Sequence, residues 1–388
     1  MAEERIGRRA FVVVIDACGI GALPDAGSYG DEGANTLVHL AEATGGLTLP
    51  TLEGLGLGSI VPIEGVAPAT APALHGRLRA LGAGKDSTAG HWELMGVVCE
   101  VAPPTYPRGF PPEVIEHVRA AADREVICNR PYNGIDAIEH FGTEHLETGA
   151  LIVYTSQDSV LQIAAHEDVV PVEDLYAICA RTREEMSGEH AVGRVIARPF
   201  AGRSGAFART EGRHDFSLPP PGRSYLEVVR EHGVPVHSVG KVGQLFSGIG
   251  IDVRHPGATN ARALAETTEL IRSLEHGLVF TNLVETDQIY GHRHDTEGFH
   301  RALREIDATV AEWLGLLGEE DLLVLTADHG VDPAAPHTDH TREHVPLLAV
   351  FPGHGGARHD GPLADVGASA LRWLTGADAP ELPGDPFL

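Results

Sequence analysis

Three continuous apolar runs, rich in β-branched residues, each stop at an acidic residue or an acid–histidine pair. Phe11-Val-Val-Val-Ile15 stops at Asp16, Leu278-Val-Phe-Thr-Asn-Leu-Val284 leads into Glu285-Thr-Asp287, and Leu322-Leu-Val-Leu-Thr326 leads into Asp328-His329. A strand with no polar alternation has no face for water, so such runs predict strands buried on both sides, as in parallel sheets covered by helices. Residues 234–239 and 345–351 read as further strands. Amphipathic stretches at about 35–43, 261–274, 299–317 and 364–374 read as helices between them. The alternation predicts an α/β fold, a core sheet with helices on both faces.

In such sheets ligands gather beyond the carboxyl ends of the strands. Asp16, Asp287, Asp328 and His329 fall there, with His292 five residues after Asp287 and His340 eleven after His329. Taken singly, each would serve as a cap or a surface group. Three carboxylates and three imidazoles converging on one sheet edge instead suit divalent ions such as Mn²⁺, Mg²⁺ or Zn²⁺. Ten of the 22 histidines lie between His276 and His359, which adds to that expectation.

A second stretch bears on phosphate. Asp86-Ser-Thr-Ala-Gly-His-Trp-Glu93 follows the flexible Gly82-Ala-Gly-Lys85 and precedes Leu94-Met95. It reads as a helix start. Free N–H groups and the helix dipole favour a bound or covalent phosphate there, and Ser87 and Thr88 are the candidate hydroxyls. Asp, Ser and Thr are also the usual capping residues. Two metal ions sharing six ligands and bridged by a phosphorylated hydroxyl would join the two observations.

The chain has 388 residues, long enough for two domains, and a net charge of -26. That charge argues against nucleic acid as a partner. No apolar stretch reaches the roughly 18 residues needed to cross a bilayer. The charged N-terminus does not read as a signal peptide. Cys18, Cys99, Cys128 and Cys179 form no CxxC pair, which suits a reducing, cytoplasmic compartment. Pro103, Pro104, Pro107, Pro111 and Pro112 crowd one stretch, and Pro219-Pro-Pro-Gly222 closes another. Residues 103–219 therefore read as an inserted α+β domain, with 1–102 and 220–388 forming a discontinuous core.

These motifs resemble those of the alkaline phosphatase superfamily and, within it, the bacterial phosphopentomutase family. The similar stretches include Val14-Ile-Asp16, Gly30-Asp-Glu-Gly-Ala-Asn-Thr36, Gly84-Lys-Asp-Ser-Thr-Ala-Gly-His-Trp-Glu93, Tyr154-Thr-Ser-Gln-Asp158, Gly193-Arg-Val-Ile-Ala-Arg-Pro-Phe200, Gly291-His-Arg293, Thr326-Ala-Asp-His-Gly330 and Thr338-Asp-His-Thr-Arg-Glu343. They run nearly the whole length. The resemblance implies an alkaline-phosphatase-like core with an inserted cap domain. It implies one metal on Asp16, Asp328 and His329, and another on Asp287, His292 and His340, most often Mn²⁺. The family usually carries its nucleophilic threonine four residues before the histidine of Gly-His-Trp-Glu. Ser87 holds that place here, with Thr88 the alternative one residue later.

By the same resemblance Arg194, Arg209 and Lys241 hold the substrate phosphate, and Ser156 and Asp158 approach the sugar hydroxyls. The implied reaction interconverts ribose 1-phosphate and ribose 5-phosphate, and the 2-deoxy forms, primed by a sugar bisphosphate such as glucose 1,6-bisphosphate. The rival readings are another phosphomutase or phosphatase of the superfamily, and a non-catalytic metal- or phosphate-binding protein.

Overall fold

A computed structural model describes residues 7–156, 159–353 and 355–388. The chain divides into two units. One takes in the described residues up to Val101 together with Pro220–Leu388, and the other is Ala102–Pro219.

The strands are, in chain order, β1 (Arg9–Ile15), β2 (Leu74–Arg79), β3 (Val126–Pro131), β4 (Leu151–Thr155), β5 (Val160–His166), β6 (Arg194–Ala201), β7 (Ala208–Arg209), β8 (His214–Ser217), β9 (Val236–Val239), β10 (Val253–His255), β11 (Gly277–Leu283), β12 (Asp321–Thr326), β13 (Val345–Val350) and β14 (Gly361–Pro362). The first unit holds an eight-stranded sheet in the order β10-β9-β11-β1-β12-β13-β2-β14. β1 lies parallel between β11 and β12, in register Val14↔Asn282 and Val14↔Thr326. β13 alone runs against the others. β11 and β12 are buried at every position and β1 at all but its first, as the unbroken apolar runs require.

Helices cover this sheet in two groups. Asp365–Thr375 packs with Tyr225–Glu231 and Ser87–Leu94, whereas Asn260–Ser273 packs with Thr296–Leu316, itself against Thr36–Thr44 and Pro50–Leu55. The sheet edge at the carboxyl ends of β1, β11 and β12 receives Asp16, Asp287 and Asp328-His329. β13 begins at that same edge because it is antiparallel, so His340, just before it, arrives beside them.

The second unit has its own sheet, β3-β4-β5-β6-β7, with β8 on β6. Leu151, Val153, Leu161, Ile163, Val195 and Ala197 bury one face in a cluster that includes residues of the helices Pro112–Ala122 and Val172–Glu185. The opposite face packs Ile152, Tyr154, Ala164 and Phe200 against Ala137 and Ile138 of the helix Gly134–Thr148. That helix and β5 do not stand out in the sequence. The helix buries Gly134, Ala137, Gly142 and His145 alongside Ile138, so its apolar stripe is diluted by small and polar residues. Among the described residues, no helix is long and apolar enough to cross a membrane.

Candidate metal centre

The site is built from strand ends of the first unit. Asp16, completely buried, follows β1. Its Oδ2 accepts from Asn282 Nδ2 on the neighbouring β11 at 2.9 Å, and its Oδ1 lies 3.4 Å from His329 Nε2. Asp328 Oδ1 accepts from the N–H of Ala17 at 3.3 Å and of His329 at 3.1 Å, which pins the ends of β12 and β1 together. Asp287 sits in a wide, π-helical turn after β11, with Oδ1 3.3 Å from His292 Nε2 and 3.5 Å from His340 Nε2. The Nδ1 of His292 is anchored to the Thr338 carbonyl at 2.5 Å, which fixes its ring with Nε2 towards Asp287. The His340 ring stands 4.3 Å from that of His329 and 4.7 Å from that of His292, centre to centre.

Two groups can therefore offer three ligand atoms each within 4.8 Å of one another: Asp16, Asp328 and His329, and Asp287, His329 and His340. His329 belongs to both. His292 stands against Asp287 at the edge of the second group and is partly exposed.

Ser87 opens the helix Ser87–Leu94. Its cap is Asp86, whose Oδ1 accepts from the N–H of Thr88 at 2.8 Å and of Ala89 at 3.1 Å. With Asp86 doing the capping, the Ser87 hydroxyl is left for the metal site. Its Oγ is 3.1 Å from His329 Nε2 and donates to Asp16 Oδ1 at 3.4 Å. The helix reaches the site because of Gly90. A Cβ there would lie 2.5 Å from the Asp328 carbonyl oxygen, closer than atoms can pack. One turn on from Ser87, His91 Nδ1 donates to the Ser87 carbonyl at 2.8 Å and lies 3.1 Å from Asp328 Oδ2.

The donor set fits divalent cations. Asp328 Oδ2 and Asp287 Oδ1 are buried and meet no donor in hydrogen-bonding geometry. The single His91 Nδ1 proton is committed to the carbonyl. An orphaned buried carboxylate oxygen is costly unless a cation faces it. The charge balance says the same. Burial would raise the Asp16 carboxyl, yet the His329 hydrogen bond and charge, with His91 and Lys241, hold it well below the usual range. Burial and the Asp16 charge push Asp328 up. Burial alone would lower His329, but Asp328, Asp16 and Asp287 outweigh it and hold the imidazole well above its ordinary value. Three carboxylates in one dry site demand positive charge.

Residues not singled out in the sequence hold the frame. Glu343, buried, accepts from Thr36 Oγ1 at 2.6 Å, Thr341 Oγ1 at 2.7 Å, Thr36 N at 2.9 Å and Gly21 N at 3.1 Å. It thereby ties the loop after β1 to the loop that carries His340. Asp31 accepts from Lys85 Nζ at 3.0 Å and from the Arg342 N–H at 2.8 Å, linking the loop before Ser87 to the same segment. Of the phosphate-holding candidates that the sequence did single out, Lys241 is half-buried after β9 and lies within electrostatic reach of Asp16.

The remaining candidates lie in the second unit. Arg194 opens β6 with Nη1 3.4 Å from Asp215 Oδ2, and Arg209 is exposed on β7. Ser156 is half-buried just past β4, and Asp158 lies outside the described residues.

Comparison with known proteins bears on this geometry. A family model described as the Metalloenzyme superfamily matches residues 8–376. A phosphopentomutase of Caldanaerobacter subterraneus subsp. tengcongensis is 48% identical over 367 residues, covering 93% of this chain and 93% of the relative. One of Anaeromyxobacter dehalogenans is 49% identical over 371 residues, covering 95% of each. One of Desulfitobacterium hafniense is 46% identical over 373 residues, covering 95% of this chain and 96% of the relative. Among solved structures, a phosphoglycerate mutase of Leishmania mexicana superposes with a TM-score of 0.51 at 14% identity, covering 99% of this chain and 98% of that one; it shares the fold.

Proposed function

Since this chain belongs to the phosphopentomutase family of the metalloenzyme superfamily, we propose that it interconverts ribose 1-phosphate and ribose 5-phosphate, and the 2-deoxy forms, through a phosphoseryl enzyme. The observation that carries this reading is the place of Ser87 Oγ, 3.1 Å from His329 and 3.4 Å from Asp16 at the head of a helix.

Two divalent ions, with Mn²⁺ the best fit to mixed carboxylate and imidazole donors, would be held by Asp16, Asp328 and His329 and by Asp287, His292 and His340. Bound there, they lower the pKa of a nearby hydroxyl and offset charge on the transferring phosphoryl group.

The protein does the rest. The Ser87–Leu94 helix turns the positive end of its dipole towards a phosphate on Ser87. Ser87 gives that phosphate to the free hydroxyl of the pentose phosphate, forming a pentose 1,5-bisphosphate. The Ser87 oxygen then takes the other phosphate back, leaving the isomer. A bisphosphate such as glucose 1,6-bisphosphate would load an empty Ser87 by the second half of the same cycle.

Arg194 and Arg209, with Lys241, would hold the phosphate that is not being transferred, and Ser156 and Asp158 the sugar hydroxyls; guanidinium groups suit two-point contacts with phosphate. The inserted unit, Ala102–Pro219, is the part of the chain we assign to substrate binding. The four cysteines are all free, which supports placing the enzyme in the cytoplasm.

Incubation with Mn²⁺, a catalytic amount of glucose 1,6-bisphosphate and ribose 1-phosphate tests the proposal. Ribose 5-phosphate should accumulate with little inorganic phosphate. Release of inorganic phosphate at the same rate, with no response to the bisphosphate, would mean a phosphatase.

A further inference from the structure

The helix Ser87–Leu94 is fixed in place by neighbouring residues, each in a different way. Gly90 has no side chain, so its backbone can press on the backbone of Asp328. Trp92 Nε1 donates to the Leu245 carbonyl at 2.8 Å. Glu93 accepts from the N–H of Gly82 at 3.0 Å and from that of Leu81, which holds the loop that leads into Ser87.

His91 stands among them, and packing does not explain it. Its ring is completely buried and tilts against Phe280, 5.6 Å centre to centre. An apolar ring would fill the same space. The imidazole instead strands Nε2, which is buried with no hydrogen-bond partner among the described residues. A buried polar atom without a partner is a cost, so the work of the ring lies at its other nitrogen.

Nδ1 meets two groups. It lies 2.8 Å from the Ser87 carbonyl, and a carbonyl can only accept, so the proton is on Nδ1. Residues four apart on a helix lie one above the other, which is why His91 can reach back to Ser87. The same N–H has Asp328 Oδ2 on its flank, 3.1 Å from Nδ1. Asp328 Oδ1 already takes the N–H of Ala17 and of His329, so a hold on the second oxygen stops the carboxylate from turning. One imidazole N–H thus ties the backbone of Ser87 to a carboxylate of the ligand group Asp16, Asp328 and His329.

We propose that His91 is a positioning residue of the phosphoryl transfer: its Nδ1–H fixes where Ser87 Oγ stands relative to the ligand oxygens of Asp16 and Asp328. Its part in the transfer rests on the mutase reading; its hold on Asp328 does not. Metal affinity and the transfer rate should follow the N–H, and pentose phosphate binding should be indifferent to it.

Three substitutions separate the N–H from the bulk of the ring. His91→Phe keeps a ring and removes the donor. His91→Asn carries an amide N–H at about the reach of Nδ1. His91→Gln carries the same amide one methylene further out, at about the reach of Nε2. Helix propensity favours glutamine over asparagine, so an advantage for asparagine cannot come from the helix.

The test takes the full-length proteins. It combines melting curves, Mn²⁺ titration calorimetry of chelator-treated protein, and kcat and KM for ribose 1-phosphate primed with glucose 1,6-bisphosphate. In His91→Phe, kcat should fall about a hundredfold with KM nearly unchanged, the scale for misplacing a reacting group by about an ångström. Mn²⁺ affinity should fall about tenfold, as when a metal ligand loses the partner that orients it. His91→Asn should recover most of both losses and His91→Gln little of either. Should the phenylalanine protein fold poorly, the comparison of asparagine with glutamine carries the test alone.

Wild-type kcat and Mn²⁺ affinity in His91→Phe would overturn the proposal, as would asparagine and glutamine proteins that are equally active or equally impaired. Mn²⁺ affinity that falls in His91→Phe and returns in His91→Asn, where the wild type turns over no pentose phosphate, would uphold the hold on Asp328 and reject the mutase reading. Normal wild-type turnover, with all three variants alike in kcat and Mn²⁺ affinity, would do the reverse.

Discussion

Ser87 Oγ lies 3.1 Å from Nε2 of His329, the one residue shared by both ligand groups. The hydroxyl therefore sits where the two groups meet. Thr88, the next residue, gives its backbone N–H to Asp86. Peptide mass spectrometry of bisphosphate-treated protein should find the phosphate on Ser87. Ser87→Ala should drop mutase activity to less than about a thousandth of wild type while leaving the melting temperature nearly unchanged. Ser87→Thr, restoring a hydroxyl at the same helical position, should recover part of it. A phosphopeptide carrying Thr88, with Ser87→Ala still active, would move the nucleophile.

Chelation should abolish activity and Mn²⁺ should restore it. Without metal, the carboxylates hold His329 protonated above its ordinary range, so metal must displace a proton to bind. Affinity should fall as pH is lowered, and the calorimetric heat should vary with the ionisation enthalpy of the buffer. Asp287→Asn and His340→Ala should each lower metal stoichiometry measured by atomic absorption. Full occupancy in both would exclude them as ligands.

Glu343 joins the loop after β1 to the His340 loop through four donors. Glu343→Gln replaces one acceptor oxygen with a donor that faces an N–H or hydroxyl already donating. A loss of about 1–3 kcal/mol in urea unfolding is expected. Mn²⁺ affinity should also fall, because His340 is no longer held in place. A stability loss with wild-type metal affinity would limit Glu343 to the fold.

Asp215 supplies a pH signature in the second unit. Burial would raise its carboxyl, but Arg213, Arg194 and Arg198 outweigh burial and keep it below the ordinary range. A depressed folded value means that the stabilisation is present above the unfolded pKa, about 3.9, and is lost as pH falls through the folded one. Asp215→Asn should therefore melt well below wild type at pH 6, with the gap closing as pH approaches 3. A gap that is constant with pH would show that the carboxylate charge contributes nothing.

How much of this was legible in the sequence depends on periodicity. The ends of β1, β11 and β12 could be read because each strand is an unbroken apolar run that stops at a charged residue, which also placed Asp16, Asp287 and Asp328-His329 at one edge. The arrival of His340 could not be derived that way. It depends on β13 running antiparallel, and strand direction leaves no mark on hydropathy. The shared position of His329 between two ligand groups is likewise a matter of ångströms. Asn282 and His91 stand in stretches that were read, but neither was given a role, because each sits inside a segment that already had a structural reading, as strand and as helix. Glu343 lies three residues past His340, and only the fold reveals that Thr36 and Gly21 come to meet it. The ion pairs of Asp215 were hidden for another reason: Arg194 opens β6 and Arg213 just precedes β8, so no single stretch looks basic.

The central position of β1 also governs the order in which the chain can fold. β1 leaves the ribosome before the other thirteen strands, yet its strand partners among the described residues are β11 and β12, which are synthesised after the whole inserted unit. The strands of the second unit lie close together in sequence and can pair as soon as residues 126–217 have emerged. β1 therefore waits for its first strand partner until residues 277–283 have emerged. Until then Phe11–Ile15 remains an unpaired apolar segment, and it is there that a nascent chain of this topology is open to chaperone capture or to aggregation.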